Sequence, residues 1–171
     1  MDHHRSSVDA RPLISIVAPI YNEAPTLPEF VRRIGAVCAE FQSRYRAEIV
    51  LVDDGSTDDS LGVAKQLIDV EPRLRVIELR RNFGQTAALQ AGLSCASGDF
   101  IVSMDSDLQH FPEDIPQFIR VAEQGYDLVC GWRKDRRETA LRRWPSRLAN
   151  RLIRRVIGLR IHDFGTTFRL Y

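Results

Sequence analysis

Short apolar runs alternate along the chain with longer segments in which apolar residues recur every third or fourth position. The apolar runs have the length of buried strands and cover residues 13–20, 48–52, 74–79, 100–104 and 127–130. The segments between them predict helices over residues 26–41, 85–96 and 112–124, and one that Ser56 or Thr57 caps and that runs to about residue 70. This alternation predicts an α/β fold with a mainly parallel, Rossmann-like sheet and helices on both faces.

The pattern changes in the last third of the chain to a single apolar helix stripe with arginines around it. The stripe consists of Leu141, Trp144, Leu148, Leu152, Val156 and Leu159. Two interpretations fit it equally well. It is either a surface helix with a solvated basic face, or a helix that lies at a membrane surface near anionic headgroups.

The charge of the chain is unevenly distributed. The 171 residues are 44% hydrophobic and 27% charged, as in an ordinary soluble domain, and the formal net charge is only +1. Segment 133–160, however, holds eleven Lys and Arg against two acidic residues, a local balance of +9, which leaves −8 for the rest. This asymmetry indicates that one end of the molecule meets an anionic partner.

Several classes of protein are disfavoured by the composition. The first twelve residues are polar, so we expect a disordered segment 1–12 rather than a signal peptide, followed by one domain over 13–171. No run reaches the roughly 18 apolar residues that cross a bilayer, so any membrane contact is expected to be peripheral. Cys38, Cys95 and Cys130 have neither zinc-site nor disulfide spacing, which fits a reducing cytosol; the last two are expected in the core.

Polar residues with useful chemistry follow three of the predicted strands. The first strand is followed by Tyr21, Asn22 and Glu23, the second by Asp53 and Asp54, and the fourth by Asp105, Ser106 and Asp107. Because the carboxyl ends of parallel strands meet at one edge of a sheet, these residues should line a common crevice. Tyr21 is suited to stacking on a base, and either Asp53 or Asp54 to base N–H groups or ribose hydroxyls.

The Asp105-Ser106-Asp107 triplet predicts a metal–diphosphate site. Carboxylate oxygens suit hard cations such as Mg²⁺ and Mn²⁺, which keep coordination positions open for phosphates. A solvated acidic turn is the ordinary alternative. The chain has no glycine-rich phosphate loop of the GxxxxGK[ST] or GxGxxG type, so phosphates would be bound mainly by metal and arginine.

Several ordered motifs together resemble family-2 glycosyltransferases of the GT-A fold. They are SIVAPIYNE, IVLVDDGSTDDS, LRRNFGQTAALQAGLSCASGDFIVSMDSDLQHFPEDIP, LVCGWR and HDFGTTFRLY, and they cover nearly the whole chain from Leu13. The greatest similarity is to polyprenyl-phosphate glycosyltransferases of cell envelope glycan synthesis, of the dolichol-phosphate mannose synthase and undecaprenyl-phosphate types. Such relatives usually continue beyond the point matching Tyr171, so the resemblance implies a domain that is truncated at its C-terminal end.

The resemblance implies roles for individual residues. A nucleoside-diphosphate sugar, UDP- or GDP-linked, would be contacted by Pro19, Tyr21, Glu23, Val52 and Asp54, with Asn22, Asp53, Asp105, Ser106 and Arg133 assigned to the same site. The Mg²⁺ or Mn²⁺ ligands would be Asp105, Asp107 and Gln109. Arg147 would approach the acceptor phosphate. Asp163 occupies the position at which members of the family have an acidic residue, before the Gly-Phe-Arg segment. Asp107, Arg133 and Asp163 are the candidate catalytic residues.

The reaction implied is inverting transfer of a sugar to a polyprenyl phosphate at the cytoplasmic face of the membrane, with a membrane partner or a homo-oligomer as further possibilities. One alternative is a soluble family-2 enzyme that acts on a sugar hydroxyl. Another is an inactive nucleotide-binding remnant. An Asp-nucleophile phosphatase is disfavoured because its DxDxT motif normally follows the first strand, and a nucleic-acid-binding module because no stacking set accompanies the arginines. His110 is expected at the surface.

Overall fold

The computed structural model describes residues 9–131 and 166–171 of the chain. Within them, six strands form one sheet in the order β3-β2-β1-β4-β6-β5. The strands are β1 (Leu13–Ile20), β2 (Arg46–Asp53), β3 (Leu74–Glu78), β4 (Phe100–Ser103), β5 (Val129–Cys130) and β6 (Arg169–Leu170).

The first four strands are parallel, as the alternating pattern predicts. β1 is central and pairs in parallel with β2 along its whole length and with β4, while β2 pairs in parallel with β3. β6, which was not predicted, runs antiparallel to both β4 and β5. β6 has only two residues, too few to show the alternation of apolar and polar residues that identifies a strand in a sequence. Its pairing with the neighbouring strands defines it.

Among the described residues, four helices cover the two faces of the sheet. They are α1 (Leu27–Phe41), α2 (Ser60–Leu67), α3 (Gln85–Cys95) and α4 (Ile115–Ala122), the last preceded by a 3₁₀ turn over Pro112–Asp114. α1, α2 and α4 contribute to the larger core cluster, which includes Ile16, Leu51 and Phe118. α3 packs on the opposite face with Val17 and Val52, and Gly92 permits this close approach, since a Cβ there would lie 2.4 Å from Val17 Cγ1.

The predicted start of α2 was wrong by two or three residues. The helix begins at Ser60 rather than directly after Ser56 or Thr57. The intervening residues form a hydrogen-bonded loop in which the Ser56 N–H donates to Asp53 Oδ2 and the Ser60 N–H donates to Asp58 Oδ1. Local side-chain acceptors thus compete with the helix for these backbone donors.

The cysteines differ from expectation. Cys38 is buried in α1, whereas Cys95 is exposed and Cys130 is half-buried, so the core position predicted for Cys95 was wrong. Burial raises the pKa of the Cys38 thiol to about 12. Within the part of the chain that the structure describes, no helix is long and apolar enough to cross a membrane.

Candidate active site

A cavity of about 340 Å³ lies where the carboxyl ends of β1, β2 and β4 meet. Seven of the sequence-predicted residues line it, namely Pro19, Tyr21, Glu23, Asp54, Asp105, Ser106 and Asp107. Three separate strand ends therefore form one site, as expected for a parallel sheet. Arg133, Arg147, Asp163 and the basic stripe that begins at Leu141 lie outside the described residues.

The loop after β1 presents Tyr21 and uses Asn22 internally. The Tyr21 side chain is 43% exposed at the cavity. Asn22 has a positive φ of 57°, and its side-chain oxygen accepts the N–H groups of Thr57 (2.8 Å) and Asp58 (3.3 Å). Asn22 does not line the cavity; it connects the loops after β1 and β2.

The two carboxylates that end β2 have different surroundings. Asp54 is 3% exposed, and its oxygens accept the N–H groups of Phe83 (2.8 Å) and Gly84 (2.9 Å). Asp53 Oδ2 accepts the Ser56 N–H, and its buried Oδ1 accepts no hydrogen bond among the described residues. Of the two, only Asp54 lines the cavity.

Val52 lies in the core rather than in the cavity. Its side chain is fully buried in the cluster between the sheet and α3, together with Val17 and Ala88. The structure therefore leaves no exposed Val52 side chain for a ligand.

Asp105 is held from two sides. Its Oδ1 accepts the Gln85 amide N–H at 2.6 Å, and its Oδ2 accepts the Thr167 hydroxyl at 2.6 Å. The next residue, Ser106, is buried, and its hydroxyl donates to the Pro19 carbonyl at 3.0 Å. These bonds connect the end of β4 to α3, to β1 and to the segment before β6.

Asp107 closes a tight turn. Its Oδ1 accepts the Gln109 N–H at 3.0 Å, and Leu108 between them has a positive φ of 61°. Gln109 is exposed and does not line the cavity, although it follows directly on this turn.

His110 is a buried residue, so the prediction of a surface position was wrong. It is only 7% exposed, and its ring stacks on Phe168 with centroids 5.3 Å apart. Its Nδ1 accepts the backbone N–H of Asp105 at 3.2 Å. The Oδ2 oxygen of the Asp105 carboxylate lies 3.8 Å from the same nitrogen.

The carboxylates present fit an open divalent-cation site. In residues 9–131 and 166–171, no group of three or more His, Cys, Asp or Glu side chains is arranged to hold a metal ion by itself. Asp105 and Asp107 nevertheless lie together at the cavity. Mg²⁺ commonly binds through one or two carboxylates and completes its coordination with substrate phosphates and water, so two carboxylates suffice for such a site.

Several residues of the site received no role in the sequence analysis. Asn82, Gly84 and Gln85 also line the cavity, and Thr167 holds Asp105 from the far end of the chain. The first three follow β3 at the same edge of the sheet. Because ligands bind at the carboxyl ends of parallel strands, the position of these three residues after a predicted strand already indicated the site. Nothing in the local sequence indicates the long-range contact of Thr167.

Comparison with known proteins agrees with this architecture. The family described as Glycosyl transferase family 2 matches residues 15–171 of the chain. The chain belongs to this family. The resemblance inferred from the motifs is thereby confirmed.

Two curated relatives of this family 2 glycosyltransferase are similar over most of its length. An undecaprenyl-phosphate 4-deoxy-4-formamido-L-arabinose transferase from Pseudomonas syringae is 45% identical over 160 residues, which is 92% of this chain and 47% of the relative. A dodecaprenyl-phosphate galacturonate synthase from Rhizobium johnstonii is 44% identical over 161 residues, again 92% and 47%. The chain therefore spans about half the length of the curated relatives it matches.

Solved structures share its fold. Glucosyl-3-phosphoglycerate synthase from Mycobacterium tuberculosis matches with a TM-score of 0.67 at 22% identity and covers 93% of this chain and 57% of its own. A mannosyltransferase from Pyrobaculum calidifontis, in complex with GDP-Man and Mn²⁺, matches with a TM-score of 0.53 at 28% identity over 62% of this chain and 30% of its own. The predicted GT-A, mainly parallel α/β architecture is confirmed.

Proposed function

We propose that this family 2 glycosyltransferase transfers a sugar from a nucleoside diphosphate to a polyprenyl phosphate. The observation that carries the proposal is the convergence of Tyr21, Asp54, Asp105 and Asp107 on one cavity at the strand ends. The names of both curated relatives support it, because each name refers to a polyprenyl phosphate and to a sugar. The two sugars named differ, so the support extends to the carrier lipid and not to a particular sugar.

The donor would bind with its base near Tyr21 and Asp54 and its diphosphate near Asp105 and Asp107. Tyr21 offers a half-exposed ring for stacking, and Asp54 is fixed by two backbone N–H groups at the cavity wall. Pro19, Glu23 and Ser106 complete this wall. Asn22, Val52 and Asp53 would act indirectly by holding the loops and strands that carry these residues.

Metal binding belongs to the same proposal. Asp107 and Asp105 would hold Mg²⁺ or Mn²⁺, with Gln109 as a further ligand, and the Mn²⁺ bound by the Pyrobaculum mannosyltransferase supports a divalent ion. When bound, the cation supplies positive charge beside the diphosphate leaving group. Arg133 would bind the same diphosphate, and removal of one such electrostatic contact typically costs roughly 10²–10³-fold in rate.

The acceptor side of the proposal concerns residues 132–165. A phosphomonoester, with a second pKa near about 6, is already largely ionised at neutral pH, so little base catalysis is needed. Arg147 would bind the acceptor phosphate and Asp163 would orient it, while the basic segment 133–160 would contact the cytoplasmic membrane surface, alone or with a membrane partner or a second copy of the chain. A single in-line displacement would invert the anomeric carbon.

Nucleotide calorimetry with a metal control tests the donor half. UDP and GDP are titrated into the chain with Mn²⁺, with EDTA, and into Asp107→Ala with Mn²⁺. We expect one nucleotide to bind in a Mn²⁺-dependent manner and Asp107→Ala to lose that dependence, because Asp107 is the carboxylate available to the cation. Asp69→Ala, an exposed aspartate at the end of α2, is the matched control and should bind as wild type. Equal affinity under all conditions would contradict the proposal.

Turnover separates the acceptor half from its alternatives. The chain is incubated with UDP- and GDP-sugars and a short polyprenyl phosphate, and the glycolipid is detected by mass spectrometry. Transfer to a sugar hydroxyl but not to the lipid phosphate would favour the soluble enzyme, and nucleotide binding without any transfer would favour an inactive remnant.

A further inference from the structure

The Asp105 carboxylate accepts hydrogen bonds from two side chains that are distant in sequence. Gln85, at the first turn of α3, donates to one oxygen, and Thr167, 62 residues after Asp105, donates to the other, both at 2.6 Å. Each oxygen thus has its own neutral donor. A carboxylate held at both oxygens cannot rotate about its side-chain torsion without breaking a hydrogen bond.

The backbone around this carboxylate is fixed as well. The Asp105 N–H donates to His110, whose ring stacks on Phe168, the residue after Thr167. The Thr167 carbonyl accepts the Ser103 hydroxyl at 2.6 Å, two residues before Asp105. The segment before β6 therefore meets the end of β4 through both its backbone and its side chains.

Asp107 contrasts with Asp105 in its surroundings. One of its oxygens accepts the Gln109 N–H, and among the residues that the structure describes the other accepts no hydrogen bond. The two carboxylates of the triplet are thus unequal. Asp105 is oriented by its partners, whereas Asp107 has an oxygen available for a cation.

We propose that Gln85 and Thr167 are positioning residues that orient Asp105 toward the metal–diphosphate, an inference that rests on the proposed function. By engaging one oxygen each, they fix a carboxylate that lines the cavity and leave a further lone pair on each oxygen. Partners of this kind, which hold a ligand rather than the metal, typically contribute about 10–100-fold to metal affinity or activity.

The test measures Mn²⁺ affinity directly, by electron paramagnetic resonance of free Mn²⁺ at saturating UDP or GDP. Thr167→Val keeps the shape of the side chain and removes the hydroxyl, and should weaken Mn²⁺ binding by about ten-fold or more. Thr167→Ser restores the donor and should bind as wild type. Thr166→Val is the matched control, because the buried Thr166 hydroxyl accepts the Phe168 N–H and does not contact Asp105.

Gln85 is tested in the same way against a residue of the same helix. Gln85→Met removes the amide donor and should weaken Mn²⁺ binding, whereas Gln90→Met alters a glutamine whose amide donates to Ser94 and should not. In the double variant of Gln85 and Thr167, the loss should fall short of the product of the single losses, because both groups hold one carboxylate.

The outcomes separate this inference from the function on which it rests. Wild-type Mn²⁺ affinity in Thr167→Val, an equal loss in Thr166→Val, or fully multiplicative losses in the double variant would each overturn the positioning role while leaving the proposed function intact. Absence of Mn²⁺-dependent nucleotide binding in the wild type would instead overturn the proposed function, and this inference with it.

Discussion

At the scale of single residues, the acidic pair after β2 shows how adjacent side chains acquire different roles. Successive side chains of an extended strand point to opposite faces of the sheet. Asp54 accepts hydrogen bonds from the loop before α3, and Asp53 from the loop before α2. The sequence presents two equivalent candidates, and the strand geometry selects Asp54 for the cavity.

Asp54 also stabilises the loop that borders the site. Asp54→Asn replaces one acceptor oxygen by an N–H₂ group that faces a backbone N–H, so one of the Phe83 and Gly84 donors loses its partner. We expect a loss of about 1–3 kcal/mol in the free energy of unfolding, the cost of an unsatisfied buried polar group. Urea denaturation of this variant beside Asp69→Asn, an exposed control, measures it. Equal stability of the two variants would show that the loop does not depend on Asp54.

At the scale of elements, the loops after β2 and β3 are packed backbone to backbone. Gly55 has a φ of +67°, and a Cβ placed on it would lie 2.4 Å from the Arg81 carbonyl carbon. Gly84 in the second loop also has a positive φ, +93°, but a Cβ there would meet no atom within 4 Å. A side chain at Gly84 would therefore meet backbone strain alone, whereas a side chain at Gly55 would meet both backbone strain and a steric clash.

This contrast gives a paired prediction. Gly84→Ala should cost about 1–3 kcal/mol through backbone strain alone. Gly55→Ala should cost more, because the two loops must also move apart, and it should weaken nucleotide binding since Asp54 precedes it directly. Urea denaturation compares the free energies of unfolding, and calorimetry compares the affinities. If both variants lose equal stability, the close contact at Gly55 is not what limits that position.

At the scale of the whole molecule, a partly buried ion pair connects elements far from the site. Glu71, before β3, is paired with Arg73 at 2.6 Å, and Arg73 also donates to the Gly35 carbonyl of α1 at 3.2 Å. The Arg73 hydrogen bonds lower the pKa of Glu71 below its ordinary value of 4.5, although partial burial opposes the shift. This cluster connects α1 to the edge of the sheet.

The lowered pKa of Glu71 predicts the pH dependence of stability. Because the folded state favours the ionised form, the contribution is complete above the unfolded value of 4.5 and is lost as the pH falls through the lower folded pKa. Glu71→Gln should therefore destabilise the protein at neutral pH, and its difference from wild type should shrink on acidification below 4.5. Urea midpoints along a pH series measure this.

Glu78→Gln is the control for that series. Glu78 pairs with Lys65 at 2.9 Å, but both side chains are more than half exposed, so solvent screens the pair. We expect little change in stability. A pH dependence for Glu71→Gln no larger than that for Glu78→Gln would contradict the proposed role of the Glu71–Arg73 pair.

The sequence by itself determined the parallel part of the fold and most of the cavity. The strands β1 to β4 are apolar runs between helices. The spacing of apolar residues is a local property that can be read from a single sequence. Once these strands are parallel, the edge shared by Tyr21, Asp54 and Asp107 follows, because all carboxyl ends then lie together. The family motifs added the identity of the fold, which composition alone does not specify.

Tertiary structure decided the rest, because the remaining features depend on residues far apart in the chain. β6 exists only through pairing with β4 and β5, and it brings Thr167 to Asp105. His110 lies in a polar turn by sequence but is buried because Phe168 packs on it. The different surroundings of Asp105 and Asp107 likewise follow from Gln85 and Thr167, whose contacts no local pattern encodes. Hydrogen bonds across 20 and 62 residues form only when the whole sheet is assembled.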